Sequence, residues 1–443
     1  MKNRSLKIIL LIFVLMFTFS GCSLVDFFSA ESLLRAPKLT GENSALQSAV
    51  EGAVGSEIGL FTPIAGDYRA SYILFDANND GNDEAVVFYS LNSNASVVHM
   101  HLLAKTDNEW HSVADITGSG TEVYKVDFFN IDNSQNLEIA VTWSLDDSKR
   151  EKTLSIYRIS SLEAGAENAL TSIASIQLAD YIYLDIDSDA VNELLYFYYS
   201  STDEVYSLVA RVLEYTEKES NFSPSSEINL SQPTSAFVDI NFEKDNNNYK
   251  IYLDCLSPDN KYFTELILFD YENSALSLPM INNQYISVLS RRAINVTCDD
   301  FNKDGKLDIP CELNYEESYI SGLSEDNPVS MKFVRWCNYS QNEFTEIGKF
   351  FINEFDGFIM NIGSLYESYY FVYDYVNNVT QVRLKNFDEE NNVIFSVSCR
   401  EESDLLNPLL SDDRKNEYDI VISAKGVSMN ITYEYVRNLI EDI

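Results

Sequence analysis

Apolar residues along this chain fall into short runs, and the runs come in groups of four. ASYILFD, EAVVFYS, VVHMHLLAK and EWHSVADI occupy 70–76, 84–90, 97–105 and 109–116. EVYKVDFF, EIAVTW, TLSIYRIS and TSIASIQL repeat the arrangement over 122–178, and YIYLDI, ELLYFYY, YSLVARVLEY and SEINL over 181–230. Each run has five to ten residues, is rich in β-branched and aromatic side chains, and is bounded by turn formers, which predicts strands. Four strands per unit of about 55 residues, repeated, predicts small sheets that bury their faces only by stacking on one another.

A second pattern marks each unit. Between the first two strands lies a loop with oxygen-bearing side chains at alternate positions. DANNDGNDE places Asp76, Asn78, Asp80 and Glu84 around Gly81. NIDNSQNLE gives Asn130, Asp132, Ser134 and Glu138, and DIDSDAVNE gives Asp185, Asp187, Asp189 and Glu193. DINFEKDNN gives Asp239, Asn241, Glu243 and Asn247 with Lys244 at the glycine position, and DFNKDGKLD gives Asp300, Asn302, Asp304 and Asp308 around Gly305. Successive loops begin 54, 55, 54 and 61 residues apart.

Calcium takes six to eight hard oxygen ligands in flexible geometry, and alternate side chains of a tight loop can wrap one ion. An EF-hand would need a Glu at position 12 and flanking helices. Val87 and Cys311 stand there instead, between strand-like flanks. The loops resemble those of FG-GAP/VCBS repeats, the blades of integrin-α-like β-propellers. That resemblance implies an all-β fold: a propeller of about five four-stranded blades, six or seven if the ends add one. It implies structural calcium held by Asp76, Asn78, Asp80 and Glu84, by Asp185, Asp187, Asp189 and Glu193, and by Asp300, Asn302, Asp304 and Asp308. It implies calcium at the second loop as well, held by Asp132 and Glu138, the two acids that loop keeps. In the fourth, no ion is expected, and Lys244 either takes the metal's charge role or is solvated.

The first residues, MKNRSLKIILLIFVLMFTFSGC, set three basic side chains before an apolar run that ends in small residues and Cys22. This is an export signal rather than a membrane span. It resembles a bacterial lipobox, which implies lipid attachment at Cys22 and a membrane-anchored, extracytoplasmic protein. The domain plan is then a signal peptide over 1–21, a tether and short helix over 22–65, the propeller over 66–353 and a small C-terminal α+β domain over 354–443. The helix is expected in SALQSAVEGAV (44–54). The C-terminal part, four strands and a terminal helix in ITYEYVRNLIEDI, is either a separate domain or a sheet docked on the propeller.

Composition narrows the partners. The formal charge is −38 at pH 7, and cleavage of the signal would remove three basic residues more. Nucleic acid is excluded, since it needs basic patches. An aromatic content of 13% excludes a disordered acidic tail. The five cysteines after Cys22 (Cys255, Cys298, Cys311, Cys337, Cys399) form no CxxC and read as small buried hydrophobes, with Cys298 and Cys311 able to meet across one hairpin.

No catalytic motif is visible. His99 and His101 share one face of a strand, but the sequence names no third ligand for a metal, and His111 beside Trp110 reads as structural. The leading expectation is therefore a monomeric, non-enzymatic lipoprotein whose propeller binds a protein or a cell-surface glycan. The alternative is a polysaccharide lyase or hydrolase, favoured by a cleft near the propeller axis lined with Tyr, Arg and His. A third reading gives the C-terminal domain a recruiting role.

Overall fold

The computed structural model describes residues 42–442, except 133, 135, 146–150, 187–188, 190, 203–204, 217–220, 246–247, 271, 314, 316–317, 322–330, 354, 386–391 and 400–417. Cys22 and the expected export signal therefore lie outside the described residues, as does Asp187. No described helix is long and apolar enough to cross a membrane.

Helix α1 (Glu42–Val54) comes first. Sheet one holds β1 (Ile58–Phe61), β2 (Tyr72–Phe75), β3 (Glu84–Leu91), β4 (Asn94–Thr106) and β5 (Glu109–Thr117). Sheet two is β6 (Glu122–Phe129), β7 (Glu138–Ser144), β8 (Lys152–Ile159) and β9 (Leu170–Leu178). Sheet three is β10 (Asp180–Leu184), β11 (Glu193–Thr202), β12 (Val205–Thr216) and β13 (Asn221–Pro233). Sheet four is β14 (Ala236–Asp245), β15 (Asn248–Leu256), β16 (Tyr262–Asp270) and β17 (Ala275–Ser277). Sheets two to four are antiparallel meanders in sequence order, the form of a propeller blade. A hairpin, β18 (Met280–Ile281) and β19 (Gln284–Tyr285), and the one-turn helix α2 (Ile286–Leu289) follow.

The last two sheets exchange strands. Sheet five runs β20 (Ile309–Glu312), β22 (Lys332–Ser340), β23 (Glu343–Asn353), β24 (Phe358–Asn361) and β29 (Ile440–Asp442). Sheet six runs β21 (Tyr319–Ser321), β25 (Tyr369–Asp374), β26 (Val379–Leu384), β27 (Val393–Cys399) and β28 (Tyr418–Ile422). Thus β21 leaves the fifth unit to pair in parallel with β25, and β29 returns from the C-terminus to pair with β24. Sheet six packs on sheet five through a shared core that includes Phe333, Phe351, Phe371 and Val382. The helix expected in ITYEYVRNLIEDI is shorter: α3 (Ala424–Ser428) precedes α4 (Tyr433–Arg437), and Ile440–Asp442 is strand. Thr432 caps α4 through Tyr435 N, and Val436 and Ile440 join the core between sheets five and six.

Stacking follows sequence order. Val86, Phe88, Met100 and Leu102 of sheet one meet Val123, Val141 and Trp143 of sheet two. Ile156 and Leu154 meet Leu194 and Tyr196 of sheet three. Phe197 and Leu208 meet Ile251 and Phe263 of sheet four, and Tyr252 and Leu266 meet Cys311 and Cys337 of sheet five. The opposite face of sheet one is covered by α1 through Leu46 and Val50 against Ala85, Val87 and Leu103. Cys255, Cys298, Cys311 and Cys337 are free, buried thiols, as expected of small core residues. Cys298 contacts Asp254 and Thr264 and shares one core cluster with Cys311, both as free thiols.

Candidate functional sites: the loops and the inner strands

The first and fifth loops fold alike. Asp76 accepts the N–H groups of Asp80 (3.0 Å) and Gly81 (2.9 Å), and Asp300 accepts those of Asp304 (2.9 Å) and Gly305 (2.8 Å). Asn78 and Asn302 each accept the same Asp N–H, and Asp80 and Asp304 accept from Asn82 and Lys306. Gly81 and Gly305 have φ of +85° and +83°, the left-handed turn that glycine permits and an L side chain resists. The third loop keeps part of this pattern: Asp189 N donates to Asp185 and Val191 N to Asp189.

The closing acid anchors each loop. Glu84, Glu138 and Glu193 accept the N–H of Ala77, Ile131 and Ile186 at 2.9, 3.2 and 2.8 Å. In the fifth loop the shorter Asp308 is fully buried, and its Oδ2 has no hydrogen-bond partner. Burial, with the charges of Asp304 and Asp300 against the opposing Asn338 amide, pushes the Asp308 carboxyl up to about 6. A buried, unpartnered carboxylate oxygen beside two more acids is what an absent cation would leave, and the donors are all hard oxygens, so these residues fit calcium. As placed, the carboxylates turn onto backbone N–H groups, and among the described residues no three His, Cys, Asp or Glu side chains are gathered to hold one ion.

The second and fourth loops have cations of their own. Arg158 on β8 lies 2.6 Å from Asp132 and 3.3 Å from Glu138. Glu138 is still pushed up to about 7, because burial and Asp132 outweigh Ile131 N and Arg158. In the fourth unit Asp239, Asn241 and Glu243 are not a loop but part of β14. Lys244 is not the substitute cation: its ammonium sits 5.0 Å over the Tyr249 ring. Lys250 lies 2.6 Å from Glu243 and 3.6 Å from Asp245. Asn247 is outside the described residues.

A second cluster lies at the beginnings of the inner strands, at the opposite end of the blades from the loops. On β6, Lys125 is 3.2 Å from Asp127 and 4.0 Å from Asp180, which begins β10. Tyr181 donates to Asp127 at 2.5 Å. Lys152 donates to the Ala179 carbonyl at 2.7 Å and lies 4.1 Å over the Tyr124 ring. The segment before β2 closes over this edge: Ile64 and Ala65 N–H donate to the carbonyls of Val123 and Tyr124. Burial raises Asp180 despite Lys125 and Lys152. Asp239 on β14 is raised by burial, Asp254 and Asp180. Burial and both Asp180 and Asp239 raise the Tyr124 phenol, so that residues from three successive sheets share one electrostatic site. Tyr183, beside Asp127 and Tyr68, is pushed up to about 12, chiefly by burial.

Sequence reading missed this cluster. The repeat pattern puts Asp239 in a loop, and Asp180 is one acid among 69. The usable signal was its position immediately before the first strand of a repeat. Tyr and Arg do approach this region, with Arg69 exposed at its rim and hydrogen-bonded to Gly66. The histidines do not: His99 and His101 lie on β4, and His111 bonds the Leu162 carbonyl.

No protein-family model matches the chain, and no curated protein does. Among solved structures it is similar to an exo-β-1,3-galactanase from Phanerochaete chrysosporium in complex with β-1,3-galactotriose (10% identity, 68% of this chain and 64% of that one, TM-score 0.28). It is also similar to a GH43 β-1,3-galactosidase (7% identity, 83% and 77%, TM-score 0.28). The chain thus spans less than two thirds of the galactanase. Both are enzymes, and the expectation that this chain is not one is withdrawn on that finding. At this TM-score neither lends it a substrate or a catalytic residue.

Proposed function

We propose that the chain is a polysaccharide-acting enzyme on a propeller scaffold, with Asp180 and Asp239 as its acid–base pair. One observation carries this reading: the first strands of three successive sheets bring Tyr124, Asp180 and Asp239 into one cluster, with Lys125 4.0 Å from Asp180 and Lys152 4.1 Å over the Tyr124 ring, and burial raises both carboxyl groups. Like-charged carboxylates in one site share a proton, which leaves one acid and one base. Cleavage of a glycosidic bond asks for that pair, an acid to protonate the leaving oxygen and a carboxylate to activate water or stabilise the sugar cation. Asp239, half-buried and reachable, is the proton donor. Asp180, beside Lys125 and Lys152, is the base. The chain's charge of −38 repels polyanions, so the substrate is a neutral polysaccharide.

The rest of the reading concerns place and support. Lipid attachment at Cys22 holds the enzyme on the outer side of the membrane, as a monomer facing cell-surface glycan. Calcium in the first, third and fifth loops stiffens the ends of the blades opposite the reaction site. It supplies positive charge there and takes no part in the chemistry.

Reducing-end release from a panel of neutral polysaccharides tests the activity. Asp239→Asn is expected to lower kcat by about 100-fold or more, the usual worth of a general acid, with the melting temperature little changed. Absence of release from every polysaccharide, or full activity in Asp239→Asn, overturns the assignment.

A further inference from the structure

DINFEKDNN has the spacing of a calcium loop, yet β14 runs through most of it. In the first three sheets the inner strand and its neighbour part at Phe75–Glu84, Phe129–Glu138 and Leu184–Glu193, and the loop lies beyond. In sheet four the same two strands stay paired out to Asp245–Asn248, so a hairpin stands where the others have a loop. Beside it is a cavity of about 520 Å³. Small-molecule sites run from about 300 to 1,000 Å³. One wall is this hairpin with the ends of β16 and β17, and the other is the β22–β23 turn of sheet five.

The lining has an apolar base and a polar rim. Tyr249, Phe269 and Tyr339 are nearly buried. Asn248, Ser277, Gln341 and Asn342 are exposed, and Asp270 is half-buried. The polar groups are held in place. Gln341 and Asn342, with φ of +53° and +61°, make a two-residue turn between the paired Ser340 and Glu343. Tyr339 donates its hydroxyl to the Asn342 side-chain oxygen at 2.8 Å, which leaves the amide N–H groups to donate. Asp270 accepts from the Asn273 amide at 2.6 Å and the Glu272 N–H at 2.9 Å, and these bonds hold its carboxyl below the usual range, so it stays an acceptor.

We infer that this cavity binds one or two units of a neutral sugar chain. The ligand class rests on the reading above; the cavity does not. A hydroxyl both donates and accepts hydrogen bonds, and the rim offers amide donors at Gln341 and Asn342 and a carboxylate acceptor at Asp270. Charge argues against the alternatives. Lys250 is the one cationic side chain among the described lining residues, and Glu243 at 2.6 Å and Asp245 at 3.6 Å already hold it, so an anion finds no free partner. A cation finds Asp245 turned to Lys250 and Asp270 to its own turn. An apolar ligand would bury the amides unpaired. Asp245 lies further along β14 than Asp239 by about 20 Å at the rise of a strand, so a sugar chain held here leaves the Asp180–Asp239 cluster open. Such a hold raises the local concentration of polymer at the enzyme.

Calorimetric titration of the intact chain with short gluco-, galacto-, manno- and xylo-oligosaccharides tests this, in the Asp239→Asn background so that no bond is cleaved. Saturable binding of at least one of them is expected. Ser277→Trp, which fills the cavity, should remove one site per chain. Asp270→Asn, which keeps the turn and loses the charge, should weaken that site about tenfold. Both should melt close to the parent. The two readings fail separately. A chain that cleaves no polysaccharide but loses an oligosaccharide site through Ser277→Trp keeps the cavity assignment and drops the reaction site. An unchanged titration in either variant, or no binding of any of the four at millimolar concentration, overturns the cavity assignment whatever the chain cleaves.

Discussion

Asp308 differs from the closing acids of the first three loops by one methylene. Glu84, Glu138 and Glu193 reach back to the backbone N–H at the second position of the loop, whereas Asp308 is met by Asn338 at 3.4 Å and by the Asn302 N–H and leaves Oδ2 buried and bare. Its folded-state pKa of about 6 lies above the ordinary 3.8, so between those values the folded chain holds a proton that the unfolded chain has lost. The contribution to stability is therefore full below about pH 4 and is lost as pH rises towards 6. Calcium would favour the ionised form and cancel that loss. Melting temperatures taken from pH 4 to 7 in chelator should fall more steeply for the wild type than for Asp308→Asn, and calcium should flatten the wild-type curve. Glu138 and Glu265, each raised to about 7, add a slope common to both proteins, so only the difference between the curves reports on Asp308. Parallel curves would mean that Asp308 is not the group responsible.

At the scale of elements, the repeat was legible because its signal is local. Alternating oxygens around Gly81 and Gly305 specify a loop, and period-two apolar runs specify the strands around it. Most of the expected strands of the first three sheets are present. What stayed hidden depends on residues far apart in sequence. Arg158 reaches Asp132 and Glu138 from the next strand but one, and Lys250 reaches Glu243 across a hairpin. Neither pair has a sequence pattern. The C-terminal misreading has the same origin: Val436 and Ile440 fit a helical stripe, but β24 offered a free edge, and backbone pairing with it converted Ile440–Asp442 to strand. The two cation-filled units make separable predictions. Arg158→Ser should destabilise the chain by about 2–3 kcal/mol, somewhat below the loss expected for a fully buried pair, and millimolar calcium should restore part of it, because Asn130, Asp132 and Glu138 still surround a loop. Lys250→Ser should cost a similar amount with no recovery in calcium, because Asp239, Asn241 and Glu243 lie along β14 and cannot wrap an ion. Denaturant midpoints with and without calcium distinguish them. Equal rescue of both variants would refute the division.

For the whole molecule, the charge of −38 sets two different electrostatic problems. Charges scattered over six sheets repel at long range, and physiological salt screens them beyond about 8 Å. Carboxylates within one loop are closer than that: Asp76 accepts Asp80 N, and Asp80 in turn accepts Asn82 N, so their acids are held within one turn of chain. Screening by a diffuse ion cloud does little at that range, and a bound divalent cation does much. The two contributions can therefore be told apart in one experiment. Raising sodium chloride at 0.15 M ionic strength or above should change the melting temperature slightly. Calcium at constant ionic strength should raise it by several degrees, since each site held at one hundred times its Kd contributes about 2.7 kcal/mol. Asp80→Ala and Asp304→Ala should each remove one share of that rise and leave the salt response as it was. If sodium chloride matched calcium at equal ionic strength, the loops would be bare acidic turns, and the stiffness of the blade ends would rest on Arg158, Lys250 and the glycine turns alone.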